Sequence, residues 1–221
     1  MTFTEELRME ADPIFEAIFQ HPFVKGIETG TLKPEQLIHY VKQDFEYLNT
    51  FIQIYGLAIS RCEKREDMRL FHDKMAFILN EEIHPHNNFC EVAGVNYDEL
   101  QYEPLAPTAL NYTRHMLDVA NKGRIGEILA VLLPCPWTYY EIGVYLKNKL
   151  NVQEDHPFYE WITFYASTEG TGQFRNRLDE YAETASDAEK KRMKDAFLKS
   201  CQLELMFWEM AFTEETWPVK L

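Results

Sequence analysis

The sequence predicts an all-α protein, a single-domain helical bundle spanning residues 1–221. Three observations predict it. Apolar residues recur at spacings of three and four along nearly the whole chain, and no segment alternates strictly as a half-buried strand would. No Pro-, Gly- or Ser-rich linker divides the chain, and no internal repeat is present. Finally, 221 residues with 46% hydrophobic content suffice for one large core.

Taken in order, Thr4 reads as an N-cap, with Glu5 and Glu6 in the first turn and Leu7, Ala11, Ile14, Phe15 and Ile18 on the apolar face. His21-Pro22 ends that helix, and a connecting piece broken by Gly26 and Gly30 follows. Lys33-Pro34 opens a long helix with Leu37, Val41, Asp44, Leu48, Phe51, Tyr55 and Ala58 on one stripe. The next helix runs from about Glu66 to Ala93, kinked or split by Pro85. Gly94, Asn96, Pro104 and Pro107 mark a loop, and a helix from Thr108 to about Lys122 carries Tyr112 on its apolar stripe.

The stretch Leu129 to Tyr140, LAVLLPCPWTYY, is the centre of the pattern. Pro134 and Pro136 have no N–H to bond back, so the helix kinks or restarts there. A restart with Pro136 as first helical residue makes Cys135 the N-cap, where the helix dipole favours a thiolate. Ile125, Ile128, Leu132, Cys135, Tyr139, Ile142 and Leu146 then share one face, if the break keeps phase. A polar connection over 151–156 and an aromatic piece from Phe158 to Tyr165 follow. STEGTG, residues 167–172, has neither the spacing nor the lysine of a phosphate loop and reads as a junction. Ser186 with Glu189 forms a capping box for the last long helix, whose stripe includes Met193, Phe197, Glu204 and Ala211.

Composition narrows the function. A net charge of −14 and a pI near 4.9 argue against a nucleic-acid-binding surface. Four well-separated cysteines without a CxxC pattern suit a reducing cytoplasm. No signal-peptide pattern opens the chain and no apolar run is long enough to cross a bilayer, so no membrane partner is expected. Glu81 and His84 form one Glu-x-x-His; a di-iron bundle needs two plus two further glutamates, so no metal and no cofactor are expected. His84 and His86 are read as cap or surface residues beside the proline.

Three polar groups nevertheless interrupt apolar stripes: Asp44, Cys135 and Glu204. A buried carboxylate costs several kcal/mol unless it is paired or hydrogen-bonded. Each residue can be read as structural: a hydrogen-bonded Asp44, a Cys135 packed as a small hydrophobe, a Glu204 snorkelling to solvent. Together they read as a pocket between helices with a thiol and carboxyls for nucleophilic and acid–base work. Tyr47, three residues after Asp44, would add an aromatic wall.

PCPWTYYEIG around Cys135, QDFEYL around Asp44 and LELMFWEMAF around Glu204 resemble the TenA family, thiaminase II or aminopyrimidine aminohydrolase, and the likeness spans essentially the whole chain. The resemblance implies a haem-oxygenase-like bundle, assembled as a homotetramer, that acts on a small-molecule aminopyrimidine. It further implies hydrolysis of 4-amino-5-aminomethyl-2-methylpyrimidine to the hydroxymethylpyrimidine and ammonia, and cleavage of thiamine to hydroxymethylpyrimidine and the thiazole alcohol. In that frame Cys135 is the nucleophile, Glu204 the proton donor and acceptor, and Asp44 the ligand of the pyrimidine edge. Tyr47, Tyr112, Tyr139 and Tyr165 match the family's pocket aromatics. The alternatives are a non-catalytic pyrimidine-binding or regulatory protein, and a haem or di-iron protein on the same bundle.

Overall fold

A computed structural model describes residues 1–81, 83–167 and 171–219. Among them lie eleven α-helices and one 3₁₀ turn (Tyr97–Leu100), with no strand. No helix of the described residues is long and apolar enough to cross a membrane.

Helix α1 (Phe3–Phe19) is capped by Thr2, not Thr4. A capping box needs a Glu or Gln three residues after the cap; Thr2 has Glu5, whereas Thr4 would have Leu7. Thr4 is buried, and its N–H and hydroxyl donate to Asp179. The expected connecting piece is helical. α2 (Pro22–Thr29) has Pro22 in its first turn, a cap from His21, and Gly30 closing it at φ +68°. Gly26 lies inside α2 because a Cβ there would come within 2.5 Å of the Leu32 side chain. It permits close packing; it does not break the helix.

The long helix α3 (Pro34–Ile59) is as predicted. After it come α4 (Arg65–Asn80) and α5 (Ile83–Ala93). The interruption precedes Pro85, which falls in the first turn of α5, where a missing N–H breaks no helical bond. α6 (Pro107–Lys122) follows the 3₁₀ turn.

α7 (Ile125–Leu132) and α8 (Pro134–Leu150) join through Leu133, whose φ −61° and ψ −37° are helical. The restart is thus at Pro134, not Pro136, and Cys135 is the second residue of α8, not its cap. Both prolines sit in the first turn, where their missing donors are tolerated. Phase is preserved across the junction. Ile128, Leu132, Tyr139, Ile142 and Leu146 are all buried, and Cys135 is partly so.

α9 (Tyr159–Ser167), α10 (Thr171–Thr184) and α11 (Asp187–Thr213) complete the bundle. The centre of the expected STEGTG junction, 168–170, lies outside the described residues. Ser186 and Glu189 form the predicted capping box of α11. α11 packs on α1, α3, α6, α7 and α8; α3 packs also on α4, α5 and α6; α8 packs on α9. That last contact is close because residue 143 is glycine: a Cβ would come within 2.5 Å of the Ala166 backbone nitrogen. It brings Tyr139 of α8 against Tyr165 of α9, ring centroids 4.9 Å apart.

Candidate active site

A cavity of about 160 Å³ lies between α3, α4, α8, α9 and α10. Asp44, Cys135, Tyr139 and Tyr165 line it, with Phe51 and Phe174 among the apolar walls. Behind this lining, buried in the same core, are Tyr47, Tyr112 and Glu204. All seven residues singled out in the sequence therefore converge on one region.

Electrostatics ties the outer and inner groups together. Burial raises the Tyr47 pKa well above its usual value, and Cys135, Tyr112 and Glu204 push it further. Tyr139 is raised by burial first, then by Tyr40, Asp44, Glu204 and Cys135. Tyr112 is raised by burial and then by Glu204 and Cys135, so three hydroxyls feel the thiol and Glu204 at once. The Tyr47 hydroxyl is buried close to that of Tyr112 yet makes no hydrogen bond of good geometry.

Glu204 does not snorkel to solvent. It is buried, and the Tyr112 hydroxyl donates to its Oε2 at 2.9 Å. Burial pushes its pKa up to about 8; the Tyr112 hydrogen bond opposes that shift and the Asp44 charge adds to it. A carboxyl so tuned gains and loses a proton near neutral pH, as a general acid–base requires. Cys135 lies in the first turn of α8, where the helix dipole stabilises negative charge.

Asp44 is buried and its partner is His86, whose Nε2 lies 2.7 Å from Oδ2. His86 is thus a correction: the sequence places it at the surface or in a cap, whereas it is 1% exposed on the inner face of α5. Its Nδ1 approaches the Tyr97 hydroxyl at 3.4 Å. The signal was available, because His86, Phe89 and Ala93 follow spacings of three and four, as a core stripe does. Tyr40 was also missed; its hydroxyl and that of Tyr139 are 2.6 Å apart in the core. Glu81 and His84, by contrast, stay on the surface with Oε2 and Nε2 3.6 Å apart.

An all-helical bundle enclosing a thiol, a buried carboxyl of raised pKa and an aromatic slot has the makings of a small-molecule site. The chain belongs to the TENA/THI-4/PQQC family, whose profile matches residues 8–214. It is 38% identical over 221 residues to the aminopyrimidine aminohydrolase of Halalkalibacterium halodurans, covering 98% of each chain. It is 36% identical to that of Bacillus subtilis, covering 98% of this chain and 92% of the relative. Among solved structures, a TenA homologue from P. horikoshii OT3 superposes with a TM-score of 0.83 at 29% identity, covering 96% and 99% of the two chains. A domain with a heme oxygenase-like fold from Shewanella denitrificans reaches a TM-score of 0.72 at 10% identity, covering 96% and 92%, a likeness of fold alone.

Proposed function

We propose that this protein is a cytoplasmic hydrolase of thiamine salvage that converts 4-amino-5-aminomethyl-2-methylpyrimidine to the hydroxymethylpyrimidine and ammonia. In the same reading it cleaves thiamine to hydroxymethylpyrimidine and the thiazole alcohol. The observation that carries the proposal is the enclosure of Asp44 and Cys135 in one aromatic cavity with Glu204 buried behind it. The names borne by the relatives point to the same substrate class.

Asp44, held by His86, faces the amidine-like edge of the pyrimidine, where charge-assisted hydrogen bonds fix orientation. Tyr139 and Tyr165 form the slot for the ring. Cys135 Sγ adds to a ring carbon as its proton passes to Glu204. The ring electrons then expel the amine from the exocyclic methylene, and Glu204 returns the proton to it. Water adds to the methylene as its proton passes to Glu204, and the ring electrons then expel the Cys135 thiolate, which takes that proton back and restores the ring. One difficult substitution becomes two easier steps. Tyr112 holds Glu204 for both transfers.

Ammonia release from the aminomethylpyrimidine by the purified chain, with thiamine cleavage run in parallel, tests the reading. Turnover of the aminomethylpyrimidine supports it, and activity on neither substrate leaves a binding protein in its place. His86→Leu is expected to raise KM at least roughly tenfold with a smaller change in kcat, the loss of one hydrogen bond to a charged group. His86→Gln, which keeps a donor, recovers part of that loss. Equal KM values in all three forms would contradict the role given to Asp44. A homotetramer belongs to the same reading and is checked by sedimentation equilibrium.

A further inference from the structure

Helix α6 has no cap of its own. Its N-cap residue is Ala106, which offers no side-chain acceptor, and Pro107 in the first turn has no N–H to satisfy. The next donor, the Thr108 N–H, is taken by a residue 107 positions away. Glu215 Oε2 accepts it at 2.9 Å, and Oε1 accepts the Thr108 hydroxyl at 3.1 Å. A carboxylate there also meets the positive end of the helix dipole.

Glu215 is itself fixed to α11. That helix ends at Thr213, Glu214 turns left-handed at φ +54°, and the Glu215 N–H donates back to Met210 O at 3.0 Å. Two residues on, the Trp217 indole donates to Leu105 O at 2.9 Å, just before α6 begins. The end of α11 therefore clasps the start of α6. One turn into α6, on the same face as Thr108, stands Tyr112, whose hydroxyl donates to Glu204 Oε2 at 2.9 Å. At both places a donor of α6 meets a carboxyl carried by the α11 segment. The Tyr112 bond is towards the long end of the O–H···O range, so a small slide of α6 would break it.

We propose that Glu215 is a positioning residue for the acid–base group: by fixing the register of α6 on α11, it keeps the Tyr112 hydroxyl on Glu204. Its part in catalysis rests on the reading of Glu204 given above. The Tyr112 hydrogen bond favours the ionised form of Glu204 against burial, so slackening α6 moves that ionisation upward. The other groups facing Glu204 are Asp44 and Tyr47 of α3, Tyr139 of α8 and Cys201 of α11, with Cys135 beside the same hydroxyls. Glu215 faces His39 of α3, which Lys42 also faces. A change at Glu215 reaches Glu204 through α6.

An infrared titration reads Glu204 without turnover. The carbonyl stretch of its protonated carboxyl is assigned by its loss in Glu204→Gln and followed between about pH 6 and 10. Tyr112→Phe is expected to raise the midpoint by roughly one pH unit, the loss of one hydrogen bond to a charged group. Glu215→Ala should raise it by about half as much, and should add nothing once the Tyr112 hydroxyl is gone. Glu215→Gln removes the charge but keeps an acceptor for the N–H and a donor to the hydroxyl, so its midpoint should match wild type.

A midpoint that Glu215→Ala leaves in place, or moves equally with and without the Tyr112 hydroxyl, overturns the proposal. So does a Tyr112→Phe midpoint equal to wild type. A fall in thermal stability with no change in midpoint makes Glu215 a helix cap and nothing more. Thr108→Val removes only the hydroxyl arm of the clasp; a smaller rise is expected there, and no rise overturns the role if Glu215→Ala does not fold. Ammonia release from the same samples separates the two readings: a wild type that titrates as expected but releases none loses the catalytic role and keeps the register.

Discussion

Cys135→Ser is expected to lower ammonia release from the aminomethylpyrimidine at least roughly a hundredfold, about 3 kcal/mol of barrier. Serine keeps the size and the place in the first turn of α8 but offers a hydroxyl that ionises far less readily than a thiol. The prediction is specific because none of the other cysteines lines the cavity. Cys62, Cys90 and Cys201 are buried and do not line the cavity, and burial raises each pKa, to about 11 for Cys62 and Cys90. Their replacement by serine should cost stability and not chemistry. Full activity in Cys135→Ser, assayed as ammonia against time at saturating substrate, would remove the covalent step from the mechanism.

Glu204→Gln should cost roughly 10²–10⁴-fold in kcat/KM, the range of a lost general acid–base. The pH dependence gives a sharper readout. Glu204 must be ionised to take the thiol's proton, and its pKa is about 8, so wild-type kcat/KM should climb as pH rises towards that value. The glutamine variant has no such group, and its profile should lack that limb. Dividing the two profiles cancels any titration of the substrate itself. A ratio independent of pH between about 6 and 8.5 would show that Glu204 acts through packing alone. The Tyr112 hydroxyl can still donate to the amide oxygen of glutamine, so the variant tests charge more than it tests structure.

The sequence exposed the catalytic candidates because the fold needs them least. Asp44, Cys135 and Glu204 each occupy a stripe position where packing alone would choose an aliphatic residue, and such a violation is visible without coordinates. Their partners were less visible. Tyr40 and Phe51 look like ordinary core residues in a sequence, since an aromatic on an apolar stripe breaks no rule. His86 was hidden by Pro85, which suggested an interrupted, exposed segment, although proline in a first turn leaves the helix intact. Lys74 lines the cavity from α4, which buries only Asp67 and Phe71 among its described residues, so in sequence it reads as one more solvated charge. The α2 error has a similar origin: Gly26 signals either a break or a close approach, and only the position of Leu32 decides between them. Helix existence followed from periodicity; the side of the helix facing a cavity did not, because a cavity wall and a solvated face can carry the same residue types.

Glu204 also makes folding a proton-linked equilibrium. In the unfolded chain its carboxyl ionises near 4.5, whereas in the folded core that value moves to about 8. Between those limits the native chain retains a proton that the unfolded chain has released, so this residue's contribution falls as pH rises. The contribution is full below 4.5 and lost once pH passes about 8. Mild alkali, which would supply the ionised form required by the proposed chemistry, is thus where this carboxyl most weakens the native state. Under the proposed mechanism, activity and this residue's contribution to stability should run in opposite directions across one pH interval.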